Sequence, residues 1–164
     1  MSTQTVQCSY KLVPLKSGFI ARARQAGLDD RDQPVERLVA EGGEPCRDVL
    51  RRARPGEELI LASYCPFEVE GPYKEYGPIF ILANGGGQEP ESHRLPIDGP
   101  NPYFGSPFVL RAYSRQERIL DAVITSPEEA EGRLEDFLMR EDVAFVMARF
   151  GAYGCYACRI ERAA

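Results

Sequence analysis

Two apolar runs held apart by a stretch that cannot be helical constrain this chain more than any other feature. Glu57-Glu58-Leu59-Ile60-Leu61-Ala62-Ser63-Tyr64 and Pro78-Ile79-Phe80-Ile81-Leu82-Ala83 are apolar on both alternating faces, the pattern of strands covered on both sides rather than of a sheet edge. The connector, Cys65-Pro66-Phe67-Glu68-Val69-Glu70-Gly71-Pro72-Tyr73-Lys74-Glu75-Tyr76-Gly77, combines proline, which removes a donor and fixes φ, with glycine, which permits tight reversals. Helix is therefore not expected there. A connector this long inside a compact domain is expected to be functional or to pack through its own side chains, here Phe67, Tyr73, Tyr76 and several carboxylates.

The remaining segments read as strands and two helices. Val6 to Leu15 is expected as a first strand on an edge. Ser17 reads as an N-cap, Phe19, Ile20, Ala23 and Ala26 fall at helical spacing, and Gly27 is placed to end that helix. Leu28 to Pro34 is a polar loop whose charges are expected to be solvated. Val35 to Ala40 and Cys46 to Arg52 flank the turn signal Glu41-Gly42-Gly43-Glu44-Pro45 and suggest a hairpin, with helix the alternative for both flanks. Residues 84–107, rich in glycine and proline, are expected to be irregular, exposed and mobile. Phe108 to Ser114 and Arg118 to Ser126 form a strand pair. Ser126-Pro127-Glu128-Glu129 is a helix start, with serine as N-cap, proline at the first helical position and acids complementing the macrodipole. That helix is expected to reach about Arg140 and to bury Ala130, Leu134, Phe137 and Leu138. Val143 to Phe150 and Cys155 to Arg162 close the chain as a second pair. The expected fold is α+β, a largely antiparallel sheet of about eight strands with two helices packed on it, barrel closure being left open.

At 164 residues, 43% of them hydrophobic, one domain spanning residues 1–164 is expected. A net charge of -5, with bases interleaved among acids, argues against nucleic acid as a partner. No apolar run is long enough to cross a bilayer and no leader pattern opens the chain, so neither a membrane partner nor export is expected and the reading is cytoplasmic.

Several chemistries are weighed and set aside. Asn84-Gly85-Gly86-Gly87-Gln88 lacks the spacing of a phosphate loop. Cys155-Tyr156-Ala157-Cys158 matches C-x-x-C, but on a strand residues three apart face opposite ways, and further zinc ligands at paired spacing are missing among Cys8, Cys46, Cys65 and His93. No metal and no cofactor are therefore expected. His93, the single histidine, lies in the irregular passage, so a Cys-His nucleophile is not favoured.

Polar residues on apolar strands are more informative. Arg111 and Tyr113 project from one face of Phe108 to Ser114, and Asp121 interrupts the neighbouring strand. A buried arginine must be paired. An Arg111 to Asp121 cross-strand pair is the structural reading, and an anion site opening toward the Tyr73 to Tyr76 connector is the functional one. Arg47 and Arg149 are further candidates for its lining.

Pro45-Cys46-Arg47, Ser63-Tyr64 with Pro66-Phe67, Gly71-Pro72-Tyr73, Glu75, Gly77-Pro78-Ile79-Phe80, Leu110-Arg111-Ala112-Tyr113 and Gly154-Cys155-Tyr156 with Arg159 together resemble an uncharacterised bacterial family, domain of unknown function 1203. The resemblance runs from about Pro45 to the end and brings no established activity. Members of that family often carry His and a second Cys just after the Cys-Arg pair, and a His and Cys soon after the Gly-Pro-Ile-Phe strand. Here those neighbourhoods read Asp48-Val49 and Leu82-Ala83-Asn84-Gly85-Gly86, so the resemblance implies no metal held through them and leaves the Tyr, Glu and Arg positions to carry any activity. The expected function is binding of a small polar or anionic molecule by Arg47, Tyr64, Tyr73, Glu75, Tyr76, Arg111 and Tyr113. The alternatives are an interaction or homodimer module without small-molecule chemistry, and a cysteine-dependent enzyme using Cys46 or Cys155.

Overall fold

The structure is a computed structural model and describes residues 9–85 and 90–163. Cys8, the Val6–Cys8 part of the expected first strand and Gly86 to Gln88 lie outside the described residues. The fold is α+β, the described residues forming ten strands in two five-stranded sheets. That corrects the expectation of one eight-stranded sheet, and the described strands do not close into a barrel.

The first sheet has the order β1 (Tyr10–Val13), β10 (Tyr156–Arg162), β9 (Phe145–Phe150), β7 (Phe108–Tyr113), β8 (Ile119–Thr125), antiparallel throughout. Helix α2 (Pro127–Leu138) covers one of its faces. Ser126 takes the extended N-cap conformation and Pro127 opens the helix, as the Ser-Pro-Glu-Glu signature requires. Ala130, Leu134, Phe137 and Leu138 then pack onto Leu110, Ala112, Val146 and Ala148. The segment 90–107 has no helix or strand and is mostly exposed, as expected, but Leu95, Tyr103 and Phe104 are buried in this same core. Their aromatic and aliphatic area cannot be left in water at about 25 cal/mol per Å².

The second sheet has the order β2 (Glu36–Val39), β5 (Glu58–Tyr64), β6 (Gly77–Leu82), β3 (Pro45–Cys46), β4 (Arg51–Arg52). β5 and β6 are the two apolar runs, paired antiparallel with Leu61 opposite Phe80. β3 joins β6 in parallel at Cys46 and Phe80. The expected hairpin of Val35 to Ala40 with Cys46 to Arg52 does not form: β2 pairs with β5, and β3 turns back onto β4.

The two sheets face each other, and β5 and β6 are apolar on both sides because their outer side is covered as well. Ile60, Ala62, Tyr64, Ile79 and Ile81 meet Tyr113, Phe145, Met147 and Tyr156 of the first sheet. Leu59 and Leu82 point the other way, onto Ala40, Cys46 and Ala53. Helix α1 (Ser17–Ala21) runs into a π-helical turn (Arg22–Ala26) that Gly27 ends at φ 67, and it sets Phe19 and Ala23 against the inter-sheet core. In the loop after it Asp29 is buried. Its carboxylate accepts the amides of Arg31, Gln33 and Ser63, so this charge organises the loop instead of being solvated.

Candidate functional site

The connector between β5 and β6 is fastened at several points. The buried Glu117 carboxylate, in the β7–β8 turn, accepts the amides of Glu68 and Val69, Asp30 accepts that of Cys65, and Lys16 Nζ donates to the Phe67 carbonyl. Further along, the Glu75 carboxylate receives Arg149 Nη2 at 2.9 Å and Arg111 Nη1 at 3.3 Å. Arg111 is therefore paired, but not with Asp121. Arg111 lies beside Ala122 while Asp121 lies beside Ala112, so the two point to opposite faces and Asp121 pairs instead with Arg140 at 2.9 Å.

Of the residues expected to line one pocket, Glu75, Arg111 and Arg149 come together. Tyr113 is fully buried and stacked on Phe145, its hydroxyl without a hydrogen-bond partner among the described residues. Tyr64 lies in the core between Phe19 and Tyr156, and burial pushes its phenol up to about 12. Tyr73 sits under the Arg118 guanidinium and Tyr76 under Arg31 and Lys74. Arg47 instead donates to the carbonyls of Tyr156 and Pro45 and lies over the Phe150 ring.

Arg47 and Arg52 line a cleft of about 670 Å³ between the Glu41 to Pro45 turn, the Gly105 to Pro107 loop and the Gly151 to Cys155 turn. Arg47 is only 3% exposed. It leaves β3 toward the first sheet, donating from Nε to the Tyr156 carbonyl at 2.8 Å and from Nη1 to the Pro45 carbonyl at 2.7 Å. Arg52 donates to the carbonyls of Pro102, Gly43 and Tyr103. Both guanidiniums lie over the Phe150 ring, 5.0 Å and 5.7 Å from its centre. Among the described residues neither forms an ion pair. Backbone carbonyls satisfy donors without neutralising charge, so two cations share one apolar ring with no counter-ion. Of the cleft's two carboxylate residues, Glu44 is occupied by the amides of Glu41 and Gly42. Sequence reasoning missed Arg52: it follows Arg51, which pairs with Glu57, and nothing in the string separates the two.

The thiols differ. Burial pushes Cys46 and Cys158 up to about 12, and Cys65 is also buried. Cys155 is half-buried and lines the cleft. A bulge between Tyr156 and Cys158 brings Ala157 and Cys158 into the core shared with α2, with Cys155 packed against it. Among the described residues no group of three or more His, Cys, Asp and Glu side chains is placed to hold a metal, and no helix is long and apolar enough to cross a membrane.

The model of the family described as Protein of unknown function (DUF1203) matches residues 43–162, well over half of the chain. The chain belongs to this family. No curated protein and no solved structure matches it. The DUF1203 match begins at Gly43, in the turn that walls the cleft, and takes in Arg47, Arg52, Phe150 and Cys155. It therefore includes both cations of the cleft and the ring between them, as well as Glu75, Arg111 and Arg149.

Proposed function

We propose that this protein binds a small organic anion in the cleft over Arg47 and Arg52. One observation carries the reading: an arginine 3% exposed, its guanidinium over the same ring as a second one, with no carboxylate paired to either among the described residues. Burying an uncompensated charge is costly, and an anion bound in the cleft offsets that cost with charge-assisted, two-pronged hydrogen bonds of the kind guanidinium offers carboxylate and phosphate. The reading keeps the anionic ligand expected from the sequence and moves its centre from Arg111 and Tyr113 to Arg47. Titration of the full chain with acetate, benzoate and inorganic phosphate, followed by backbone NMR, tests it. Shifts centred on Arg47, Arg52 and Phe150, weakened tenfold or more in Arg52→Gln and reduced by added salt, are expected. No shift at these residues with any of the three anions overturns it.

A second reading, an interaction module, is supported by β8. This strand is a sheet edge, and Ile124 and Leu120 on it are 70% and 38% exposed; apolar edge strands are templates for strand pairing. Sedimentation over a range of concentrations tests it, with a persistent monomer counting against self-association.

A further inference from the structure

The cleft that holds Arg47 and Arg52 is far larger than their charge alone requires. We infer that its ligand is an amphipathic monoanion, one charged head on an alkyl or aryl body; the inference rests on the anion-binding reading and specifies its ligand class. A volume of about 670 Å³ lies in the range of sites for drug-sized organic molecules, whereas a bare phosphate or acetate fills a small part of it. The lining is divided. Arg47 and Arg52 meet Phe150 of the first sheet, while Leu61, Pro78 and Phe80 line the cleft from the outward face of β5 and β6. The outward direction of Leu61 follows from strand alternation, because Ile60 and Ala62 on either side of it point into the inter-sheet core. A head held by the guanidiniums thus leaves an apolar wall for the rest of the ligand. Glu41 and Glu44 also border the cleft and repel additional negative charge, which favours a single anionic group over a polyphosphate.

Calorimetric titration of the full chain with acetate, butanoate, hexanoate, octanoate and 3-phenylpropanoate, with inorganic phosphate and 1-hexanol alongside, tests this. Affinity is expected to rise about two- to fourfold per added methylene, the range for partial to full burial of each group, with hexanol at least tenfold weaker than hexanoate. Leu61→Asn is expected to flatten the chain-length slope while leaving acetate unchanged, and Pro78→Ser, at an exposed position, provides the same test if Leu61→Asn does not fold. Hexanoate above 3-phenylpropanoate assigns an alkyl body and the reverse an aryl one; both support the inference. A flat slope with acetate and phosphate still bound at Arg47 and Arg52 overturns the inference and leaves the anion site standing. A slope that survives both Leu61→Asn and Pro78→Ser overturns it as well. No anion bound at all removes the anion reading and this inference together.

Discussion

Glu75 reaches Arg149 across 74 residues of chain, its carboxylate 2.9 Å from Nη2. Arg149 also donates to the Gly154 carbonyl at 3.2 Å, in the turn that walls the cleft, so one side chain ties the β5–β6 connector to that turn. Arg149 is nearly buried, its side chain 10% exposed, whereas Glu75 is 44% exposed. Solvent therefore screens one partner, and the pair is worth less than a fully buried one. Glu75→Ala is expected to lower unfolding free energy by about 1 kcal/mol, most of it from leaving Arg149 without its carboxylate. Urea denaturation measures this, and hydrogen exchange should rise in residues 70–77 more than in β9. An unchanged midpoint would show that the pair contributes nothing.

The thiols should separate by reactivity. Attack requires thiolate, and at pH 8 a group with its pKa raised to about 12, as burial imposes on Cys46 and Cys158, is ionised in only about one molecule in ten thousand. Cys155, half-buried at the cleft, should label first among the described cysteines when native protein is treated with iodoacetamide and mapped by mass spectrometry. Fast labelling of Cys46 would instead revive a cysteine-dependent enzyme.

How much of this was legible beforehand follows from the range of the forces involved. β5, β6 and α2 are written locally, in a continuous apolar run or in a Ser-Pro-Glu-Glu start followed by apolar residues at helical spacing, and they form where the pattern places them. Alternation along β7 sets Arg111 and Tyr113 on one face, and the structure has them opposite Met147 and Phe145. What failed was everything decided by partners distant in sequence. Asp121 and Arg111 are on adjacent strands, but their register sets them on opposite faces, and a register offset of one residue is invisible without the turn geometry. β3 and β4 have two residues each, too few to show a period. Arg47 is expected, with Arg149, only as a further candidate for the lining of an anion site, yet its setting comes from Tyr156, 109 residues away, and Arg52 has no local signal at all.

Acid should weaken the fold in a window set partly by Glu57. Its carboxyl is held at about 2 instead of 4.5, chiefly by the Arg51 guanidinium, with the Arg54 amide also donating to it. A folded-state pKa below the unfolded one means that the native state binds the proton more weakly, so this contribution is complete above about pH 4.5 and is lost as pH falls toward 2. Thermal unfolding of the wild type and Glu57→Gln should therefore differ near neutral pH and converge as pH approaches 2. Parallel curves across that range would show that the pairing has no linkage to stability.

Two glycines in the β9–β10 turn should respond differently to the same substitutions. A Cβ on Gly151 would fall 2.2 Å from the Pro107 carbonyl oxygen, a backbone atom that cannot swing aside, so Gly151→Ala must push the Gly105 to Pro107 loop away from the turn. Gly154 has open space around it but sits at φ 72, where the obstacle is the left-handed backbone itself. Gly154→Ala is expected to cost about 1 kcal/mol and Gly154→Asn less, because asparagine tolerates that conformation. Gly151→Ala and Gly151→Asn should both cost about 1–3 kcal/mol, as overpacking does, with asparagine bringing no relief. Because Gly151 and Pro107 both wall the cleft, the Gly151 variants should also change anion affinity, while Gly154→Asn should leave it unchanged. Urea denaturation of the four variants, with benzoate titration of those that fold, gives both readouts, and a Gly151→Ala protein as stable as the wild type would mean that the loop and the turn are not in contact.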